Sequence, residues 1–315
     1  VKNKILSVVF PGQGSQRLGM AKDFVESFSE SRAVFEKASD CLNLDLFNLC
    51  FEDEVRLNQT QFMQPAILTA EIAMLKALEK ALGYSPEYFA GHSMGEYTAL
   101  VAAGVFSFED GLKLVNGRNA LMQNCMPEGS GAMAALILPG LIDSGFEKVL
   151  EGTGVELANL NSPNQIVIAG LKDALSSVCA KLVETITGLR YVDLGIGIAF
   201  HTSFMSNVEP ELREYVDSFE PRMKLDRAKY VLSNLTGKFH TDSQLTSSLV
   251  QQISGCVQWI QNMSELANTG CTIIEIGPNK VLGRFFRDSG YSVESVFSLR
   301  SLDKVLRHVE AAEGL

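Results

Sequence analysis

The chain of 315 residues holds only four histidines and one tryptophan, and nowhere does an apolar run approach 18 residues. Without such a run no membrane-spanning helix is expected, so no membrane association is expected either. The six cysteines, at positions 41, 50, 125, 179, 256 and 271, show neither C-x-x-C nor zinc-ligand spacing. They read as free thiols in a reducing compartment, with no metal site. The opening Val1-Lys2-Asn3-Lys4-Ile5 lacks the apolar core of a secretory signal, and a cytoplasmic protein is the expectation. Positive charge is also scarce: 27 Lys and Arg face 37 Asp and Glu, a net charge of −10. That balance speaks against nucleic acid as a partner. Repeats, low-complexity tracts and long charge runs are absent.

What remains is an ordinary globular composition, 46% hydrophobic and 20% charged, in a chain long enough for one large domain or a large one with a smaller companion. Strand-like and helix-like stretches alternate. Ile5–Phe10 suits a buried parallel strand, stopped by Pro11-Gly12. Met63–Leu82 and Phe108–Gln123 carry apolar residues at helical spacing. From Ala132 the order is strand (Ala132–Leu138), helix (Ile142–Leu150), strand (Val155–Leu160), turn (Asn161–Asn164), strand (Gln165–Gly170), helix (Ala174–Ile186) and strand (Arg190–Leu194). This βαββαβ order is the ferredoxin-like pattern. The fold class expected is therefore α/β: a large domain of residues 1–128 and 196–315, interrupted by a small subdomain at 129–195. The tail should add a strand at Tyr230–Asn234, helices at Gln244–Ile253 and Val257–Asn268, a strand at Thr272–Ile276 and a helix after Pro278.

Chemistry concentrates at Gly91-His92-Ser93-Met94-Gly95. The apolar Tyr88-Phe89-Ala90 before it can end a strand, and Glu96–Ala103 after it reads as a helix. A G-x-S-x-G between strand and helix is a nucleophile elbow, which holds a serine Oγ at the tip of a sharp turn. The helix N-terminus favours negative charge developing there. The alternative is a purely structural strand–helix turn. A serine nucleophile needs a base. His92 lies inside the elbow, where a role in fixing the turn is the simpler reading, and His240 and His308 sit in polar surroundings expected at the surface. His201 follows the apolar, Gly-rich Gly195–Phe200 and is the best candidate, its alternative being a buried histidine bonded to backbone.

Several further motifs occur in a fixed order: Phe10–Gln16 (FPGQGSQ), Gly91–Tyr97 (GHSMGEY), Arg118 with Leu121-Met122-Gln123, and Pro127–Ala134 (PEGSGAMA). They continue with Asn159–Gly170 (NLNSPNQIVIAG), Ala199-Phe200-His201, Leu249–Gln252 before Val257-Gln258-Trp259, and Glu275–Pro278. In this the chain resembles the malonyl-CoA:acyl carrier protein transacylases of fatty acid synthesis, from residue 5 to about 298. The resemblance implies an α/β-hydrolase-like core with an inserted ferredoxin-like subdomain. It implies Ser93 as acyl-accepting nucleophile, His201 as base, and the backbone amides of Gln13 and Met94 as the oxyanion hole. It implies the main-chain carbonyl of Gln252 as the group orienting the histidine. Arg118 would grip the malonyl carboxylate, with His92 and Met122 also in the substrate site. The substrates implied are malonyl-CoA and acyl carrier protein, with no cofactor and a monomeric enzyme. Basic residues Lys280, Arg284 and Arg287 are candidates for carrier-protein contact, their alternative being a solvated helix face.

Gly12-Gln13-Gly14 has neither the lysine of a Walker motif nor the third glycine of a dinucleotide fingerprint, where Arg17 stands. Departures from the family pattern are Asn164 for a turn glycine, where Asn would supply the left-handed conformation, Cys256 for proline, Asn119 for glycine and Thr202 for serine. None removes a chemical group. Three other readings stay open at this point: a serine hydrolase such as a thioesterase, a non-catalytic scaffold, and an acyltransferase serving polyketide synthesis.

Overall fold

The structure is a computed structural model and describes residues 5–127 and 129–313. The expected domain boundary at 128, and the chain ends 1–4 and 314–315, lie outside the described residues. The strands are β1 (Leu6–Phe10), β2 (Tyr88–Gly91), β3 (Gly131–Ile137), β4 (Glu156–Ser162), β5 (Gln165–Leu171), β6 (Arg190–Asp193), β7 (Thr272–Ile276) and β8 (Glu294–Val296). They form two sheets.

The first runs β2-β1-β7-β8 and is parallel throughout. Strands separated by long helical stretches can only pair by crossover, which is why short continuous apolar runs end up side by side and buried. All five residues of β1 are buried. The helices Thr60–Leu82, Gly95–Ala102 and Phe108–Gln123 pack against one another beside this sheet. The second sheet runs β4-β5-β3-β6, antiparallel at every step. With the helix Lys172–Thr185 it gives the ferredoxin-like arrangement. The period of two along β3 sorts its side chains between two cores. Ala132, Ala134 and Leu136 pack with Leu175, Val178 and Leu182 of that helix. Met133 and Ala135 turn the other way and join the large core. The second face of the small sheet thus closes over the end of the large one, and the site lies between them.

Four expectations are corrected. Tyr230–Asn234 is not a strand: Val231 and Leu232 make only isolated bridges, to Phe89 and Phe239. The amide of Asn234, which a ladder would use, instead donates to the Glu96 carboxylate at 3.0 Å. The helix at Ile142–Leu150 is broken into a 3₁₀ turn, Leu141–Asp143, and one α-turn, Glu147–Leu150. The left-handed Gly145 (φ 74°) interrupts it. Asn164 does not adopt a positive φ. Its Oδ1 accepts from the amide of Gly140 at 2.9 Å, so its side chain rather than its backbone ties the turn. Finally, His240 is buried, not at the surface, held at 2.7 Å by Glu96.

Candidate active site

The elbow is made by close packing that only glycine permits. A Cβ on Gly91 would stand 1.8 Å from the carbonyl oxygen of Gly95, and one on Gly95 would stand 2.3 Å from that of Phe10. Strand end, turn and helix start are therefore pressed together, and Ser93 between them takes φ 54°. A left-handed serine is strained, and the surroundings must hold it. The hold is a pair of clamps. Asn234 Oδ1 accepts from the Ser93 amide at 2.6 Å, while Gln252 Nε2 donates to the Ser93 carbonyl at 2.9 Å.

Ser93 Oγ lies 2.7 Å from His201 Nε2. His201 has φ 60°, and its Nδ1 lies 2.8 Å from the carbonyl oxygen of Gln252. A carbonyl only accepts, so the ring proton sits on Nδ1 and the Nε2 lone pair faces the serine hydroxyl. Burial lowers the His201 pKa to about 3, with the Arg118 charge and His92 acting in the same direction and the Gln252 carbonyl opposing them. The imidazole is therefore neutral, the form a general base requires. Burial also lowers His92, to about 4. Its Nε2 lies 2.7 Å from Asn161 Oδ1, and its ring meets Trp259 edge-on. His308 is exposed and pairs with Glu294 at 2.8 Å.

Ser93 and His201 open into a cavity of about 230 Å³ between the two sheets. Gln13, Met94, Arg118, His92 and Met122 line the same cavity, and Gln252 lies behind its wall. All eight residues singled out in the sequence are thus brought together. Among the described residues, the amides of Gln13 and Met94 donate to no acceptor, and Met94 caps the N-terminus of the helix Gly95–Ala102. Such amides beside a serine suit a developing oxyanion.

Arg118 is 1% exposed. Its Nη2 donates to Gln252 Oε1 at 2.9 Å, its Nη1 reaches Gln64 Oε1 at 3.5 Å, and its guanidinium lies 5.0 Å from the Tyr97 ring centroid. Among the described residues its Nε meets no acceptor and no carboxylate forms an ion pair with it. A buried cation with neutral neighbours and a spare donor is incomplete without an anion.

Sequence reading missed Gln64, which joins Arg118 to the Gln13 side chain (3.2 Å), along with Asn161, Asn234 and the pair Glu96–His240. Gln64 carried a signal, as a polar residue opening the apolar run of a core helix. Asn234 carried none, being one polar residue in a supposed strand end. Lys280 and Arg287 do face a groove, of about 690 Å³, together with Arg300, Lys304 and Arg307 and against Glu294. Arg284 lies outside it and pairs with Asp288 at 3.8 Å.

The chain is similar to known proteins over nearly its whole length. A family model described as an acyl transferase domain matches residues 8–314. The malonyl CoA-acyl carrier protein transacylase of Staphylococcus aureus (strain MRSA252) is 34% identical over 307 residues, covering 95% of this chain and 96% of that protein. The crystal structure of malonyl CoA-acyl carrier protein transacylase from Clostridium perfringens superposes with a TM-score of 0.87, at 35% identity and 98% coverage of both chains. A malonyl-transacylase solved in complex with a type II PKS acyl-carrier protein superposes at 0.86, with 32% identity, 96% of this chain and 99% of that one. No described helix is long and apolar enough to cross a membrane.

Proposed function

The chain belongs to the acyl transferase family, and from that premise we propose that it carries malonyl groups from malonyl-CoA to the phosphopantetheine thiol of acyl carrier protein through a malonyl-seryl intermediate, supplying fatty acid synthesis. The enzyme is an acyltransferase. One observation carries the substrate: the buried Arg118, which no carboxylate pairs among the described residues, in the cavity that also holds Ser93 and His201.

The steps follow from the geometry. Ser93 Oγ attacks the thioester carbon as its proton passes to His201 Nε2, 2.7 Å away. The oxyanion is received by the amides of Gln13 and Met94. Its collapse breaks the carbon–sulfur bond, and the coenzyme A thiolate leaves with the proton from His201. The carrier-protein thiol then gives its proton to His201, attacks the seryl ester, and Ser93 recovers its hydrogen. Each half-reaction leaves His201 neutral again, the proton passing from Ser93 to the departing thiol in the first and from the incoming thiol back to Ser93 in the second, so the pair needs no outside acid or base. Arg118 places the malonyl carboxylate, its planar fork suited to a two-oxygen anion. A hydrolase would use Ser93 and His201 equally well but would gain nothing from that cation.

The basic groove is the candidate contact for an acidic carrier protein, because the chain as a whole is acidic and association needs a local reversal of sign. We also take 129–195 as a small subdomain within a large one, and the enzyme as a cytoplasmic monomer without cofactor. The test of substrate is acylation by malonyl-CoA and by acetyl-CoA of the wild type and Arg118→Ala. Selective loss of malonyl transfer supports the proposal, and equal loss of both overturns it.

A further inference from the structure

A buried acidic side chain sits beneath the elbow and takes no part in the acyl exchange. Glu96, in the first turn of the helix Gly95–Ala102, has no exposed surface. Its Oε1 accepts from His240 Nε2 at 2.7 Å. Its Oε2 accepts from the Asn234 amide at 3.0 Å and from Gln252 Nε2 at 2.7 Å.

Both of those partners lead directly into the site. Asn234 brackets the elbow, accepting from the Ser93 amide and donating through Nδ2 to the Gly91 carbonyl at 2.7 Å. Gln252 touches three groups: its Nε2 donates to the Ser93 carbonyl, its Oε1 accepts from Arg118, and its main-chain oxygen accepts from His201. A glutamine amide fits its space almost equally well in two orientations, and only its partners choose between them. A carboxylate accepts, so it draws the Gln252 NH₂ toward itself and leaves the oxygen for Arg118. The reverse orientation would set oxygen against carboxylate and carbonyl, and NH₂ against guanidinium.

We propose that Glu96, anchored by His240, is a positioning residue that keys the Gln252 amide and the Asn234 clamp, and so aligns nucleophile and substrate cation together. Burying such a pair costs solvation, and the return here is a single orientation of the groups around Ser93. This inference rests on Ser93 and His201 acting as nucleophile and base.

The test measures three quantities on wild type, Glu96→Gln, His240→Leu and His240→Gln. They are the rate of Ser93 modification by an uncharged fluorophosphonate, the single-turnover rate of malonyl acylation per folded molecule, and Tm. Glu96→Gln keeps the shape but lets Gln252 take either orientation. It is expected to slow fluorophosphonate modification about 10-fold, the scale of one lost charge-assisted hydrogen bond. Malonyl acylation should fall further still, because Arg118 is also released. His240→Leu should behave likewise, whereas His240→Gln, which still offers a donor to Glu96, should remain within about 3-fold of wild type by the same scale. Should His240→Leu yield no folded protein, the isosteric Glu96→Gln decides. Variants reacting at wild-type rates with only Tm lowered would overturn the inference, leaving the pair a purely structural one. A wild type inert to the reagent would overturn the nucleophile reading first and this inference with it.

Discussion

Arg118 and His201 are joined through a single residue: Arg118 Nη2 donates to the side-chain oxygen of Gln252 at 2.9 Å, and the main-chain oxygen of that same glutamine holds His201 Nδ1 at 2.8 Å. The group proposed to bind the acyl carboxylate and the proposed base thus share one support, and the charge of the first depresses the pKa of the second.

Substrate charge should therefore depend on Arg118 alone. Truncating one partner of a buried, hydrogen-bonded charge pair costs about 2–5 kcal/mol, or roughly 30-fold to several thousand-fold in kcat/KM. Arg118→Ala should lose malonyl transfer by that factor while acetyl transfer holds or rises. Arg118→Lys should recover only part, because an ammonium offers no planar fork.

The same coupling has a pH signature. His201 must be neutral to act, and its lowered pKa keeps it so well below pH 6.5. Removing the Arg118 charge takes away one cause of the lowering, so the folded pKa rises toward the ordinary value. In Arg118→Met, the acid limb of kcat/KM for acetyl transfer should move to higher pH than in the wild type. A limb that stays in place or moves down would separate the two residues electrostatically.

Much of this site was legible because its chemistry is written in short local patterns. Gly91, Ser93 and Gly95 stand at fixed spacing because the turn leaves no room for a Cβ at either end, and β1 and β7 announce themselves as apolar runs. The stretch 22–57 carries no assignable pattern in the sequence, although it forms four helices, Lys22–Ser27, Ser29–Leu42, Leu46–Phe51 and Glu54–Leu57. Two of them are started by side-chain caps, Asp45 and Asp53, but three are of four to six residues and too short for periodicity to show. His240 misled for a different reason. Its neighbours in sequence are polar, while its partner Glu96 is 144 residues away, and no local pattern encodes a contact of that range.

Carrier-protein binding should be set by the groove of Lys280, Arg287, Arg300, Lys304 and Arg307. Reversing Arg287 and Arg300 to Glu should raise the KM for carrier protein, leave that for malonyl-CoA unchanged, and weaken the dependence of carrier-protein transfer on salt. Equal increases in both KM values would assign the groove to coenzyme A or to the fold.

Stability should carry a separate pH dependence through Glu71. It is buried, its Oε2 meets Thr98 at 2.7 Å, and its Oε1 has no partner among the described residues. Burial raises its pKa well above 4.5, with Glu275 adding to the shift. A raised folded pKa contributes stability that is full below about 4.5 and is lost as pH rises through the folded value. Each pH unit in that window costs the wild type about 1.4 kcal/mol relative to a side chain that does not titrate. The Tm of Glu71→Gln should gain on that of the wild type as pH rises from 5 to 9, and a constant difference would mean that Glu71 does not titrate differently on folding.

The acyl-enzyme is tested most directly by intact-protein mass spectrometry after brief mixing with malonyl-CoA, followed by fragmentation to locate the adduct. One malonyl group on Ser93 is expected, absent in Ser93→Ala and discharged when carrier protein bearing a free phosphopantetheine thiol is added. An adduct on one of the six cysteines, with Ser93→Ala still transferring malonyl groups at the wild-type rate, would contradict it.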